Sequence, residues 1–400
     1  MKSIQTEAVN MESNVWNTPM IRPLPDFVHG TEQAVIDLND RAGDGTWRFL
    51  FASVPRIPAP GAADQDFDTA CLPAEGWKNV AVPCELAMQG FDIENNTEYY
   101  YQRRLAVPAD FAGKRIFLRF DGVYSNARCW IDGHFVRSHT GGFTSWDCEI
   151  TSFVRAGEES LLLVGVADLE GSAAGNYNMD GRIKGDPSWA SYYAHHNIGG
   201  ILRDVSLFAL PETGLERLHI DTCFDRDFKD AVLSVKAYVC GSADTVRLRM
   251  SLAGREGNAS SEYNTQLRCG QAAEARIPVR EPKHWDAEHP YLYTLTLSLE
   301  KDGVILESLD RKVGFRELHF GGRDGTASNK LYVNGKEVKL RGTCRHDVSL
   351  RGGRSTTREE DWAEIQAYRE ANINHIRTSH YPPSRHLLEA CDELGMDVEE

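Results

Sequence analysis

The sequence predicts a mainly β chain, with two β-sandwiches in succession and then the opening of a parallel α/β unit. Three observations predict it. Apolar residues alternate with polar ones at period two in several stretches of the first 315 residues, the pattern of strands with one face buried. Asp-Gly and Asn-Gly pairs stand between such runs, where a two-residue hairpin needs positive φ at both turn positions. After about residue 330 the pattern changes to strand, helix, strand, helix, strand.

In the first region Ile116, Leu118 and Phe120 alternate with polar neighbours before Asp121-Gly122. Cys129-Trp130-Ile131 and Phe135-Val136 flank Asp132-Gly133, which reads as a hairpin. Leu161 to Val166 reads as a buried strand, and Val205, Leu207 and Ala209 close the region before Pro211. Many short strands with Gly-rich turns and little helical periodicity predict a sandwich or jelly roll, over about 15–212. In the second region Val246, Leu248, Met250 and Leu252 alternate with Arg and Ser, as do Leu295, Leu297 and Leu299 with Thr and Ser. About 100 residues of this kind, near 213–318, suit an immunoglobulin-like sandwich without the Cys–Trp–Cys spacing of antibody domains.

The third region, 319–400, opens with a hairpin at Asn334-Gly335 and a strand expected to end at Gly342. Thr356 and Glu359 are spaced as a capping box for a helix whose apolar face is Trp362, Ile365 and Tyr368. A strand over 374–378 follows. A helix from about Ser384 is then lined by Leu387, Leu388, Cys391 and Leu394, with Gly395 as its stop. Met396 to Glu400 begins another strand.

Composition excludes some functions. Asp and Glu number 59 against 44 Lys and Arg, a net charge of -15, so nucleic acid and anionic membrane surfaces are excluded as partners. The amino terminus has no apolar run of signal-peptide length, and Leu161 to Ala167, the longest apolar stretch, is too short to span a bilayer. Nine cysteines occur without a Cys-x-x-Cys pair, which argues against a disulfide framework or zinc site. Buried, reduced thiols and a cytoplasmic location are expected, with Asn95 and Asn258 unglycosylated.

Parallel α/β barrels place ligand-binding side chains at the carboxyl ends of their strands. Two such ends carry Arg345-His346-Asp347 and Arg377-Thr378-Ser379-His380-Tyr381. One histidine in such a place reads as a hydrogen-bonded loop residue. Matching clusters at successive strand ends point to a site instead.

Those clusters belong to an ordered set of motifs. Asn334-Gly335-Lys336-Glu337-Val338-Lys339-Leu340-Arg341-Gly342, Arg345-His346-Asp347, Arg377 to Pro382 and Cys391-Asp392-Glu393-Leu394-Gly395 resemble glycoside hydrolase family 2, which includes β-galactosidases, β-glucuronidases and β-mannosidases. Gly113 to Val123, Asp132-Gly133, His139-Thr140-Gly141-Gly142-Phe143 and Gly200-Ile201-Leu202-Arg203-Asp204-Val205 look like its sugar-binding jelly roll. Trp285, Pro290, Leu292, Tyr293 and Gly314-Phe315-Arg316 match the end of its immunoglobulin-like domain. The resemblance runs from about residue 80 to the last residue. It implies the first β/α units of an incomplete (β/α)8 barrel and a β-galactosidase-type hydrolase of terminal β-O-glycosidic bonds, with retention. A β-glucuronidase or β-mannosidase is the alternative within the family, and a non-catalytic carbohydrate-binding protein the alternative outside it.

A retaining glycosidase needs two carboxyl groups about 5 Å apart, one nucleophile and one acid/base. The resemblance places both glutamates on later barrel strands and makes neither Glu399 nor Glu400 catalytic, so this chain alone is expected to be inactive. His346, His380 and Asn95 match substrate-binding positions. Arg345, Asp347, Arg377 and Tyr381 match supporting ones, the arginines being expected to hold the charge and position of the glutamates. The expected partner is an oligosaccharide or other β-glycoside. No cofactor is expected in this chain; Mg2+ and a homo-oligomer are expectations for a complete enzyme.

One position departs from the pattern. The family members compared carry an Asp six residues before the Gly of Gly-Ile-x-Arg, and this chain has Ala194. Tyr193, His195, His196, Asp180 and Asp186 are candidates to replace its contact with a sugar hydroxyl. His195-His196 as a metal pair is disfavoured, because neighbours on a strand point to opposite faces.

Overall fold

A computed structural model describes residues 26–27, 35–55, 67–94, 97–168, 191, 194, 196–243, 245–256, 259–321 and 329–400. Asn95, Asp180, Asp186, Tyr193, His195 and Asn258 lie outside the described residues.

The first sandwich stacks a six-stranded sheet on a four-stranded one. The larger sheet runs, edge to edge, through the Trp77–Asn79, Arg48–Pro55, Thr97–Ala106, Glu159–Ala167, Asn126–Ile131 and His134–Thr140 strands. The smaller runs through Trp146–Glu149, Arg115–Phe120, Val205–Leu210 and Val35–Asp37. Side chains expected from the alternation meet between them, including Leu118, Phe120, Leu162, Val164 and Leu207 around Trp47 and Phe49. The Asp132-Gly133 hairpin has φ of 46° and 81°, the positive values its two-residue turn needs.

The second sandwich packs two four-stranded antiparallel sheets. Val246, Leu248, Met250 and Leu252 point inward against Leu295, Leu297 and Leu299. Asp26–Phe27 pairs with the Gly214–Phe224 strand and adds an edge to this sandwich, although it precedes the first one in sequence. A small antiparallel sheet, Leu318–Phe320, Leu331–Val333 and Lys336–Val338, turns at Asn334-Gly335 with φ of 48° and 74°.

Three parallel strands follow: β1 (Gly342–Arg345), β2 (His375–Thr378) and β3 (Asp397–Glu399). Helices α1 (Arg358–Glu370) and α2 (Arg385–Leu394) connect them. Ile376 meets Ile365, Leu387, Ala390, Cys391 and Met396 in a small core.

Several local expectations shift. β1 begins at Gly342 rather than ending there, and a Cβ at that position would lie 2.3 Å from the His375 carbonyl oxygen. Gly342 therefore marks a close approach of two strands, not a stop. The capping box is Thr357 with Glu360, one residue later than expected. Ala390, rather than Leu388, completes the buried side of α2. Ser384 caps α2, and Gly395 ends it at φ 85°. Of the nine cysteines only Cys84, Cys129, Cys148 and Cys391 are buried, while Cys71 and Cys344 are exposed. Among the described residues no helix is long and apolar enough to cross a membrane.

Candidate active site at two strand ends

Alternation along β2 sets the site's orientation. Ile376 and Thr378 are buried on the helix side, so His375 and Arg377 occupy the opposite face. Register places Arg377 between Cys344 and Glu399. Its Nε lies 3.3 Å from the Glu399 carboxylate, and both side chains are exposed. Arg345 and Arg377 fall within β1 and β2 rather than just past them.

Beyond the strand ends, the His346 and His380 rings stand edge to face with centroids 5.7 Å apart. The Tyr381 ring lies 5.9 Å from His346. Burial, then the charges of Arg354 and His380, hold the His346 imidazole below its ordinary value, so its neutral form is favoured. The His346 Nδ1 atom is buried and has no hydrogen-bond partner among the described residues. The Tyr381 hydroxyl accepts from the Asp347 backbone N–H and from Arg354 Nη1, each at 3.1 Å.

Beneath the histidines Arg345 gathers three carboxylates. Arg345 Nη1 donates to Asp347 Oδ1 at 2.6 Å, and its Nε and Nη2 grip Glu364 at 3.2 and 2.7 Å. Asp361 lies 3.6 Å from the same guanidinium and accepts from the Ser384 hydroxyl at 2.5 Å. Burial pulls the Arg345 charge down, but the three carboxylates outweigh it and raise its value further. The carboxylates that Arg345 holds thus come from its own loop and α1. Three of its five donors are engaged in this way.

The first sandwich reaches this site directly. Arg203 Nη1 donates to the Phe143 carbonyl at 2.7 Å, and its Nη2 donates to Asp347 Oδ2 at 3.0 Å and the Pro382 carbonyl at 2.6 Å. Phe143 stacks on Tyr381 with ring centroids 3.9 Å apart and 9° between planes. Ala194 packs into the same apolar group as Tyr124, Phe143 and Tyr381. Where the family members compared carry an Asp, this chain thus places a methyl against an apolar cluster.

His196 is not free to replace that Asp. Its Nε2 contacts Glu85, and its Nδ1 lies 3.0 Å from the Ala194 carbonyl. With an acceptor at each ring nitrogen, the Glu85 contact raises its value and favours the charged form. Glu85 also accepts from the Arg354 backbone N–H at 2.8 Å. Among the described residues no group of three or more His, Cys, Asp or Glu could hold a metal ion.

The chain's sequence pointed to His346, His380, Asp347 and Tyr381, and the fold brings them together. Arg203, Phe143, Arg354, Glu85, Asp361 and Glu364 were not expected there. Asp361 carried a signal, since it stands one turn before Ile365 on the buried side of α1, and a carboxylate on such a face needs a partner.

Comparison with known proteins agrees with this architecture. Residues 41–211 match the sugar binding domain of the Glycosyl hydrolases family 2, residues 213–316 match the model described as Glycosyl hydrolases family 2, and residues 326–400 match that family's TIM barrel domain. A β-galactosidase of Priestia megaterium is 28% identical over 388 residues, covering 89% of this chain and 35% of that protein. A β-galactosidase of Thermoanaerobacter pseudethanolicus is 30% identical over 306 residues, covering 75% and 38% respectively. The crystal structure of a Bacteroides uniformis β-glucuronidase superposes with a TM-score of 0.70 at 28% identity, covering 91% of this chain and 41% of that one. The chain thus spans little more than a third of the length of the curated relatives it matches. Its two sandwiches and partial barrel, with the three matching domain models in order, place the chain in glycosyl hydrolases family 2.

Proposed function

We propose that the protein this chain represents is a β-galactosidase-type glycoside hydrolase that cleaves terminal β-O-glycosidic bonds with retention. The observation that supports it is the His346–His380 pair at successive strand ends, with rings 5.7 Å apart. In this reading the two imidazoles and Asn95 hydrogen-bond sugar hydroxyls, and those bonds strengthen as the ring flattens toward the oxocarbenium-like transition state. Arg345, Asp347 and Tyr381 hold the loops that carry the histidines. Arg377, on the exposed inner face, lies where substrate or later barrel residues would meet it. Two glutamates supplied by later barrel strands act as nucleophile and acid/base. Ala194 keeps a β-glucuronidase or β-mannosidase as the second reading, since no acidic side chain stands at that position to select a hydroxyl.

The test is release of nitrophenol from β-galactoside, β-glucuronide and β-mannoside substrates. It is run on this 400-residue chain and on a product extended through a complete barrel by its own reading frame. The extended protein is expected to turn over one of the three, and the 400-residue chain none. Turnover by the shorter chain would overturn the assignment of catalysis to later strands. Sugar binding without turnover by the extended protein would make it a carbohydrate-binding protein.

A further inference from the structure

We propose that Arg203, a residue of the first sandwich, is a positioning residue that fixes the two strand-end histidines relative to each other. The proposal rests on the reading of His346 and His380 as the sugar-contacting pair. Arg203 lies outside the barrel segment in sequence, yet it grips the residues beside both histidines. Asp347, which follows His346, receives its Nη2 at 3.0 Å, and Pro382, two residues after His380, receives the same nitrogen at 2.6 Å. The other terminal nitrogen is anchored on the Phe143 carbonyl at 2.7 Å, within its own sandwich. One planar fork thus ties three segments together, a geometry a lysine ammonium cannot reproduce.

His346 needs such a hold. Among the described residues His346 Nδ1 has no hydrogen-bond partner, and the ring's aromatic neighbours there are His380 and Tyr381. Its placement is therefore inherited from the backbone of Arg345 and Asp347. Asp347 is clamped from both sides, by Arg203 on one carboxylate oxygen and Arg345 on the other, while its N–H donates to Tyr381. Tyr381 is stacked on Phe143, the residue whose carbonyl anchors Arg203.

Glycines in the first sandwich permit this approach. A Cβ at Gly122 would lie 3.0 Å from Arg203 Cδ and 3.0 Å from the Gly142 carbonyl oxygen. A Cβ at Gly142 would lie 2.1 Å from the Tyr124 ring. The Gly-Gly-Phe and Gly-Ile-x-Arg motifs, far apart in sequence, thus converge on one task. The first sandwich aligns the site as well as adjoining it.

The experiment uses the chain itself, labelled with 15N-histidine. The imidazole resonances of His346 and His380 are titrated in the wild type, Arg203→Met, Arg203→Lys and Asp347→Asn, alongside amide hydrogen exchange. In Arg203→Met, His346 should move toward ordinary imidazole titration. Exchange across 345–355 and 379–384 should rise by about tenfold or more, while that of Arg115–Phe120 stays unchanged. Arg203→Lys should recover only part of the effect. Unchanged histidine titration and loop exchange in Arg203→Met would overturn the proposal. If that variant loses its sandwich, Asp347→Asn decides, since it leaves Arg203 its two carbonyl acceptors. It must raise exchange across 345–355 and 379–384 as Arg203→Met does, and unchanged exchange there overturns the proposal. None of these readouts requires turnover, so absence of hydrolysis in the extended protein would refute the assigned function without touching this result.

Discussion

Docking of α2 on the first sandwich should weaken as pH rises from 6.5 to beyond 9. His386, on α2, places Nε2 at 2.8 Å from Asp204 Oδ2, and Asp204 is also held by Arg41 at 2.5 Å and Asn39 at 3.0 Å. The Asp204 hydrogen bond, then Glu389, push the His386 imidazole up to about 9 against the effect of burial. Glu389 lies 3.8 Å from Nδ1, beyond hydrogen-bonding distance, so it acts as a nearby charge. A group whose folded value is raised stabilises the folded state fully below its unfolded value near 6.5 and loses that contribution as pH passes through about 9. The full shift would correspond to roughly 3 kcal/mol, and screening of this partly exposed pair reduces it to about 1–2 kcal/mol. That range predicts an opening equilibrium for α2 about 5–30 times larger at pH 9.5 than at pH 6. Hydrogen exchange over Arg385–Leu394, corrected for intrinsic exchange, measures it. His386→Gln should flatten the dependence and leave α2 at the weaker, high-pH level throughout. His196 titrates in the same direction against Glu85, so the local readout on α2 and the single variant separate the two. Equal opening free energies at both pH values, or a pH dependence retained in His386→Gln, would refute the reasoning.

Two buried or capping contacts should also register in stability. Arg128 is paired with the Glu98 carboxylate, which is 1% exposed and also accepts from the Tyr100 hydroxyl at 2.5 Å. Arg128→Met leaves that charge buried without its cation and should cost about 3–5 kcal/mol in denaturant unfolding; a loss below about 1 kcal/mol would mean water reaches Glu98. Thr357→Ala removes the acceptor for the Glu360 N–H at 3.2 Å and half of the capping box. It should cost about 1 kcal/mol, read as faster exchange in the first turn of α1, and an unchanged first turn would count against the cap.

Features set by neighbouring residues were legible in the sequence. The Asp132-Gly133 and Asn334-Gly335 turns adopt positive φ at both positions, and Val246 to Leu252 alternate between core and solvent as their chemistry requires. Where two local solutions competed, longer-range contacts decided. Thr356 and Thr357 both stand three residues before a glutamate; Thr357 takes the cap, and its Glu360 also accepts from the Ser349 hydroxyl at 2.7 Å. His346 and His380 were legible as strand-end residues, because strand order alone puts them on one face. The hold on them was not, since Arg203 and Asp347 are 144 residues apart and no periodicity links such a pair. Gly342 was misread because a glycine at a tight approach and one at a strand end look alike until the neighbouring strand is placed.

The contacts between Asp204 and His386, 182 residues apart, and between Arg203 and Asp347 also bear on the order of events during synthesis. The core of the first sandwich is closed by residues between Leu38 and Ala209, so it can be complete before α2 leaves the ribosome. The barrel segment then meets a finished surface on which Arg203 and Asp204 are already in place. Its small core of Ile365, Ile376 and Leu387 therefore assembles against a template rather than by an unaided search. The long loops spanned by these bonds are closed by the earlier folding of the domains between them.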